Sequence, residues 1–200
     1  MHNKIPRYYY FINKLNKNDI KKLNQNIAVI YRNYNKQINL KKLKDFRDFL
    51  KKNKIKFFLA NNIKLAIQLN LDGAYIPSFN KKISKKYLYK KKFQLIGSAH
   101  SLKEIKIKEK QGVSAIFISP LFKTYKSNHY LDVNKFNLLA KNSKLNIIAL
   151  GGINKSNFKK LFILKIYGFA SISFFKNIDK FFLKNLIIKH KYYINEPTSC

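Results

Sequence analysis

The sequence predicts a short (β/α)8 barrel, a TIM-barrel α/β fold, as a single domain over residues 1–200. Three observations predict it. Eight apolar runs, each about 4 to 6 residues long and largely free of charge, have the character of strands buried on both faces, which parallel pairing requires. Lys-rich amphipathic segments alternate with them, as crossover helices do. No GxGxxG follows the first run, and no Ser/Gly/Pro linker divides the chain, which disfavours an open doubly wound sheet and a second domain.

The elements follow in order. Tyr8–Asn13 and Ile27–Tyr31 are the first two strands. Leu40, Leu43, Phe46 and Leu50 share a helical face, with Lys41, Lys44, Asp45 and Lys51 around it. Ile55–Ala60 is the third strand, and Ala66 and Leu69 follow Ile63 at helical spacing. Gly73–Ile76 and Phe93–Gly97 are the fourth and fifth. Ser101-Leu102-Lys103-Glu104 is a capping box, with Ile105 and Ile107 beginning that helix's apolar content. Ser114–Ser119 and Asn146–Leu150 are the sixth and seventh strands. Asn157 is placed to cap a helix carrying Phe158, Leu161 and Phe162. Phe169–Phe174 is the eighth, and Ile178, Phe181, Phe182 and Leu186 line one face of a last helix.

Composition narrows the function classes. Lys+Arg number 42 against Asp+Glu 9, a formal charge of +33, yet 46% of residues are hydrophobic, so the chain can bury a core. The charge is almost all Lys, spread evenly, and the only arginines are Arg7, Arg32 and Arg47. Nucleic-acid readers exploit the planar Arg fork, so a nucleic-acid partner is not expected. The single cysteine, Cys200, excludes a disulfide scaffold and a Cys-based zinc site. His2, His129 and His190 share no ligand spacing. No apolar run reaches the roughly 18 residues of a membrane helix, and the Tyr8–Ile12 stretch is too short for a signal-peptide core. The expectation is a soluble cytoplasmic protein.

In such a barrel, chemistry sits where the strands end. Arg32 ends the second strand, and in a chain that prefers Lys it suits a bidentate anion contact. Asn61 and Asn62 end the third, and Ser98-Ala99-His100-Ser101 ends the fifth, where His100 can orient a phosphate or move a proton. Thr124, with Lys123, Lys126 and Ser127, follows the sixth and offers a hydroxyl and charge to a diphosphate. Gly151-Gly152 ends the seventh, where backbone N–H groups can approach an anion closely. Ser171 and Ser173 lie at i and i+2 of the eighth and share a face if it stays extended. Asp72 precedes the fourth strand, at the wrong end, as a turn residue. Carboxylates are missing at the strand ends, where Asn62 and Asn80 stand instead.

The chain resembles the thiamine phosphate synthase and thiazole tautomerase family from about Pro6 to Lys176. The resemblance is carried by Leu59-Ala60-Asn61-Asn62 with Leu65-Ala66, Leu71-Asp72-Gly73-Ala74-Tyr75-Ile76, Ser98-Ala99-His100-Ser101-Leu102, Ile118-Ser119-Pro120-Leu121-Phe122-Lys123-Thr124 and Ile148-Ala149-Leu150-Gly151-Gly152-Ile153. It implies a site for a thiazole phosphate and, in the synthase, a hydroxymethylpyrimidine diphosphate with Mg2+. By that pattern Arg32 and Asn61 line the pyrimidine diphosphate site, and Thr124 binds its diphosphate. Gly151 and Gly152 then grip the thiazole phosphate, aided by backbone near Ser171 to Ser173. The departures are specific. Ile30 and Tyr34 stand where the synthase carries Gln and Lys, and Asn62 and Asn80 stand where it carries magnesium aspartates. Its Thr-x-Thr-Lys loop is reduced to Thr124 with Lys126 and Ser127 beyond. Pro120 stands where the tautomerase has its acid–base His.

The expectation is a thiamine phosphate synthase-like transferase acting on small phosphorylated pyrimidine and thiazole substrates. The alternatives are a non-catalytic or regulatory barrel that binds a thiazole phosphate or thiamine phosphate, and a thiazole tautomerase-like enzyme.

Overall fold

The computed structural model describes residues 5–34, 37–83, 92–125 and 128–177. Eight parallel strands close into a barrel in sequential order, each paired with its neighbours in the chain and β8 with β1. They are β1 (Tyr8–Ile12), β2 (Ile27–Tyr31), β3 (Phe57–Ala60), β4 (Gly73–Ile76), β5 (Gln94–Ala99), β6 (Ala115–Ile118), β7 (Asn146–Leu150) and β8 (Gly168–Ser171).

Period-two alternation divides each strand between two cores. Tyr9, Phe11, Ile30, Phe58, Tyr75 and Phe117 are among the residues that fill the interior. Their rings interlock edge to face: Tyr9 and Phe117 have centroids 4.8 Å apart, and Phe11 and Tyr75 5.2 Å. The residues between them, such as Tyr8, Tyr10 and Ile12, face the helices and form the second core. Runs without alternating charge are the result, because both faces are apolar.

Helices cover the barrel where the apolar face allows. In α1 (Leu40–Lys52), Asn39 caps by accepting the Lys42 N–H at 3.0 Å, and Leu43, Phe46 and Leu50 are buried. Leu40, expected on that face, is half exposed at the first turn. In α2 (Ile63–Gln68), Asn62 is the cap and Ala66 the buried residue. In α3 (Leu102–Lys110), Ser101 Oγ accepts the Glu104 N–H at 3.3 Å, half of the expected capping box. The Glu104 carboxylate reaches one residue further back and accepts the His100 N–H at 2.7 Å. Lys108, not Ile107, joins Ile105 as the second buried position of α3. Helix α4 (Asp132–Ala140) buries Phe136 and Leu139.

Two expectations near the C-terminal strands are corrected. After β7 the chain forms a 3-10 helix (Phe158–Ile163), and Asn157 does not cap it. Its side chain is taken by Asn154, whose N–H it accepts at 2.9 Å, and by the Gly152 carbonyl, to which it donates at 2.8 Å. Strand β8 ends at Ser171, and Ser173 opens a short helix α5 (Ser173–Lys176), so the two serines do not share a strand face. Ser171 Oγ accepts the Phe174 N–H at 3.2 Å and donates to Ile153 O at 2.9 Å, which turns the chain at that point. The expected last helix, from Ile178, lies outside the described residues.

At the opposite end of the barrel, Asp72 accepts the Phe57 N–H at 2.8 Å, a turn contact remote from the strand C-termini.

Candidate functional site

The C-terminal strand ends form a mouth with two differently built sides. On the β2–β4 side, Arg32 continues the ladder, its N–H donating to Ile12 O at 2.8 Å. Its guanidinium lies 4.9 Å from the Phe11 ring centroid, and Nε donates to Asn13 Oδ1 at 3.2 Å. Stacking and one hydrogen bond hold the fork in place and leave its Nη groups available for an anion.

Asn61 turns the chain sharply after β3 with φ +58°, a conformation Asn tolerates better than most residues. Its N–H donates to Tyr75 O at 2.8 Å, and its Oδ1 accepts from Asn80 Nδ2 at 2.7 Å. Beside it lies a cavity of about 330 Å3 lined by Asn33, Tyr34, Ile38, Ala60, Asn61, Asn62 and Leu65. Exposed Tyr34 and Phe79 meet edge to face at 5.4 Å. Arg32, Thr124 and Gly151 are not part of that lining, and no carboxylate is.

Beneath these residues lie the buried Tyr75 and Ser98 side chains. Burial pushes the Tyr75 phenol well above its usual value and neighbouring Tyr34 adds to this, while Ser98 and Arg32 oppose it. Tyr75 therefore stays neutral and serves as a hydroxyl under the mouth. His100 sits on the exposed rim after β5. Its Nδ1 lies 3.1 Å from Glu104 Oε2, so the first turn of α3 fixes the ring.

The β6–β8 side is built from backbone. Gly151 and Gly152 both have positive φ, +96° and +71°. A Cβ on Gly151 would stand 2.8 Å from Pro120, and one on Gly152 would stand 2.5 Å from the carbonyl oxygens of Phe122 and Lys123. Only glycine fits this approach of the β6 and β7 loops. The Gly151 carbonyl accepts the Phe122 N–H at 3.1 Å. Among the described residues, no acceptor meets the N–H of Gly151 or Gly152. Half-buried Thr124 follows Lys123 in the same loop. Ser171 and Ser173 both donate to Ile153 O, at 2.9 and 3.4 Å, so their hydroxyls brace the Gly-Gly turn. Lys126 lies outside the described residues.

The expected site residues thus gather at one end in two groups, Arg32, Asn61, Asn62 and Asn80 on one side and Thr124, Gly151, Gly152, Ser171 and Ser173 on the other. Ser98 lies between them. Sequence reasoning missed Tyr75, Asn13 and Asn157 as supports, since a strand tyrosine and loop asparagines give no sign of their partners. Lys108 left one, a lysine three residues after a buried isoleucine.

Mg2+ requires hard oxygen ligands, usually with one or two carboxylates. Asn62 Oδ1 accepts the Leu65 N–H at 3.0 Å, and Asn80 Oδ1 accepts the Lys82 N–H at 3.0 Å. Asn61 Oδ1 is engaged by Asn80, and among the described residues no group of three or more His, Cys, Asp or Glu could hold a metal. These donors do not fit a magnesium site.

The family model for thiamine monophosphate synthase matches residues 21–175, from the approach to β2 through β8 into α5. The chain belongs to this family. A putative thiamine-phosphate synthase 2 from Aquifex aeolicus is 32% identical over 136 residues, 66% of this chain and 72% of that protein. A thiamine-phosphate synthase from Methanococcus vannielii is 27% identical over 119 residues, 58% of each. The solved thiamine phosphate pyrophosphorylase from Pyrococcus furiosus superposes with a TM-score of 0.73, covering 95% of this chain and 97% of that one at 17% identity, a likeness of fold. The matched stretch contains the strand ends on both sides of the mouth.

Proposed function

We propose that this protein is a thiamine-phosphate synthase, a transferase that joins hydroxymethylpyrimidine diphosphate to a thiazole phosphate and releases diphosphate. The observation that carries it is the family match across residues 21–175, which contains both sides of the mouth. We further take the chain as one barrel domain, acting in the cytoplasm on small phosphorylated substrates.

The chemistry needs charge handling rather than acid–base work. The C–O bond to the diphosphate breaks, and its electron pair leaves with the diphosphate. The thiazole nitrogen lone pair forms the new C–N bond at the exposed methylene carbon. No electron is gained or lost overall, and no proton must be moved. Arg32 meets the departing diphosphate with a fixed planar cation, and Asn61 lies beside it at the cavity. Half-buried Thr124, in the loop after β6, offers a hydroxyl to the same anion. The N–H groups of Gly151 and Gly152 receive the thiazole phosphate, and Ser171 and Ser173 hold the turn that presents them. Ser98 and the neutral Tyr75 hydroxyl lie below, and His100, tethered by Glu104, orients a substrate oxygen at the rim.

Mg2+ belongs to this reaction in the family the chain resembles. Asn62 and Asn80 do not supply its ligands, so no step is assigned to it. The electrostatic work on this side falls to Arg32, a planar cation that replaces an octahedral ion incompletely.

The test is direct assay. Purified protein supplied with both substrates is expected to form thiamine phosphate. Absence of product with enzyme in excess, with and without Mg2+, refutes the synthase. The amide oxygens in place of carboxylates favour one second reading, a barrel that binds thiazole phosphate or thiamine phosphate without turnover. Saturable binding with no product supports that reading.

A further inference from the structure

Lys108 is the least expected residue in the fold. It is fully buried on α3, three positions after buried Ile105, where the helix pattern calls for an apolar side chain. Gly97 on β5 makes room for it, since a Cβ there would stand 2.8 Å from Lys108 Cδ. A buried ammonium is costly unless every N–H is satisfied. Here Nζ donates to Pro77 O at 2.8 Å, Asn80 O at 2.8 Å and Gln111 Oε1 at 2.9 Å, three acceptors for three donors. Gln111, one turn on, turns its Nε2 the same way and donates to Asn80 O and Lys82 O, each at 2.9 Å.

Together these two side chains bind three carbonyls of one loop, the one that follows β4. A methionine or leucine would fill the space at lower cost, so what the lysine adds is direction. The loop it fixes is folded on itself, with the Asn80 N–H on Pro77 O at 3.1 Å and the Lys82 N–H on Asn80 Oδ1 at 3.0 Å. It projects two side chains toward the cavity side of the mouth. Asn80 Nδ2 meets Asn61 Oδ1, and Phe79 meets Tyr34.

We propose that Lys108 and Gln111 are positioning residues, an internal clamp that sets the loop after β4 so that Asn80 and Phe79 shape the pyrimidine diphosphate side of the mouth. The substrate assignment rests on the synthase reading; the clamp itself does not. Gly151 and Gly152 are held by other contacts, from Phe122, Asn157 and Ser171, so the clamp acts on one side only.

The experiment compares wild type with Lys108→Met and Gln111→Met. Amide hydrogen exchange is read at Asn80 and Lys82 against the strand amides, and hydroxymethylpyrimidine diphosphate and thiazole phosphate are titrated separately. Expected is exchange at Asn80 and Lys82 faster by about tenfold or more, with strand amides unchanged. The pyrimidine diphosphate is expected to bind about tenfold more weakly, with thiazole phosphate binding kept. Unchanged exchange at Asn80 and Lys82 overturns the clamp, as does equal weakening of both substrates. Should Lys108→Met fail to fold, Gln111→Met, which leaves the ammonium both carbonyls, is read by the same criteria. A wild type that binds neither substrate refutes the synthase reading, and the exchange result alone then decides the clamp.

Discussion

The two sides of the mouth are held in place by opposite means. On the β6–β8 side the backbone leaves no room. Gly151 and Gly152 lie against the carbonyls and proline of the neighbouring loop, and three side chains (Asn157, Ser171 and Ser173) tie the turn from behind. On the β2–β4 side, side chains hold one another. Arg32 leans on Phe11 and Asn13, Asn61 on Asn80, and the loop bearing Asn80 on Lys108 and Gln111. Packing of the first kind fails all at once on substitution, whereas a side-chain network loses function by degrees.

Substitutions break the comparison in order of expected size. Gly152→Ala places a methyl against two carbonyls in a positive-φ turn. Thiazole phosphate binding should fall by a hundredfold or about that, with a loss of stability of about 2 to 3 kcal/mol in a denaturant melt. Arg32→Lys keeps the charge but loses the stacked fork. It should weaken the pyrimidine diphosphate by about tenfold in calorimetric titration and leave the melting curve nearly unchanged. Ser171→Ala removes one hydroxyl that both accepts and donates. It should cost about 1 kcal/mol of stability by thermal or denaturant unfolding.

A separate effect, read against pH, concerns Lys108. Burial pushes the Lys108 ammonium down from its ordinary 10.5 to about 8, against the pull of Glu104 on the same helix. The groups that face it from the β4 loop are the Pro77 and Asn80 carbonyls. Between about pH 8 and pH 10.5 the unfolded chain still holds a proton that the folded chain has released. Stability should therefore rise with pH across that window relative to Lys108→Met, as read by melting at several pH values.

The same contrast decides what could be read from the sequence. The barrel was legible because eight short, largely charge-free runs alternate with Lys-rich amphipathic segments, and each was found within a few residues of its place. The end of β8 was misread because Phe169–Phe174 carries no charge, Gly or Pro to mark a break, and only the hydrogen bonds of Ser171 show where it turns. The glycine side of the mouth was legible because in a chain with 6 glycines an adjacent pair marks a close approach. On the other side Arg32 stood out as one of three arginines, but the contacts that hold that side did not. Asparagine and lysine are everywhere in this chain, so composition hides which of them are structural. That Asn62 caps a helix, that Asn80 bridges to Asn61, and that Lys108 is buried are facts of tertiary contact.

The central claim is that the mouth holds two substrates on two differently built sides, with Thr124 reaching across. The measurement that tests it most directly is cross-titration of Arg32→Ala and Gly152→Ala with each substrate alone. Arg32→Ala is expected to lose the pyrimidine diphosphate and keep the thiazole phosphate, and Gly152→Ala is expected to do the reverse. Loss of both substrates to the same extent in both folded variants, or binding of neither by the wild type, would contradict it.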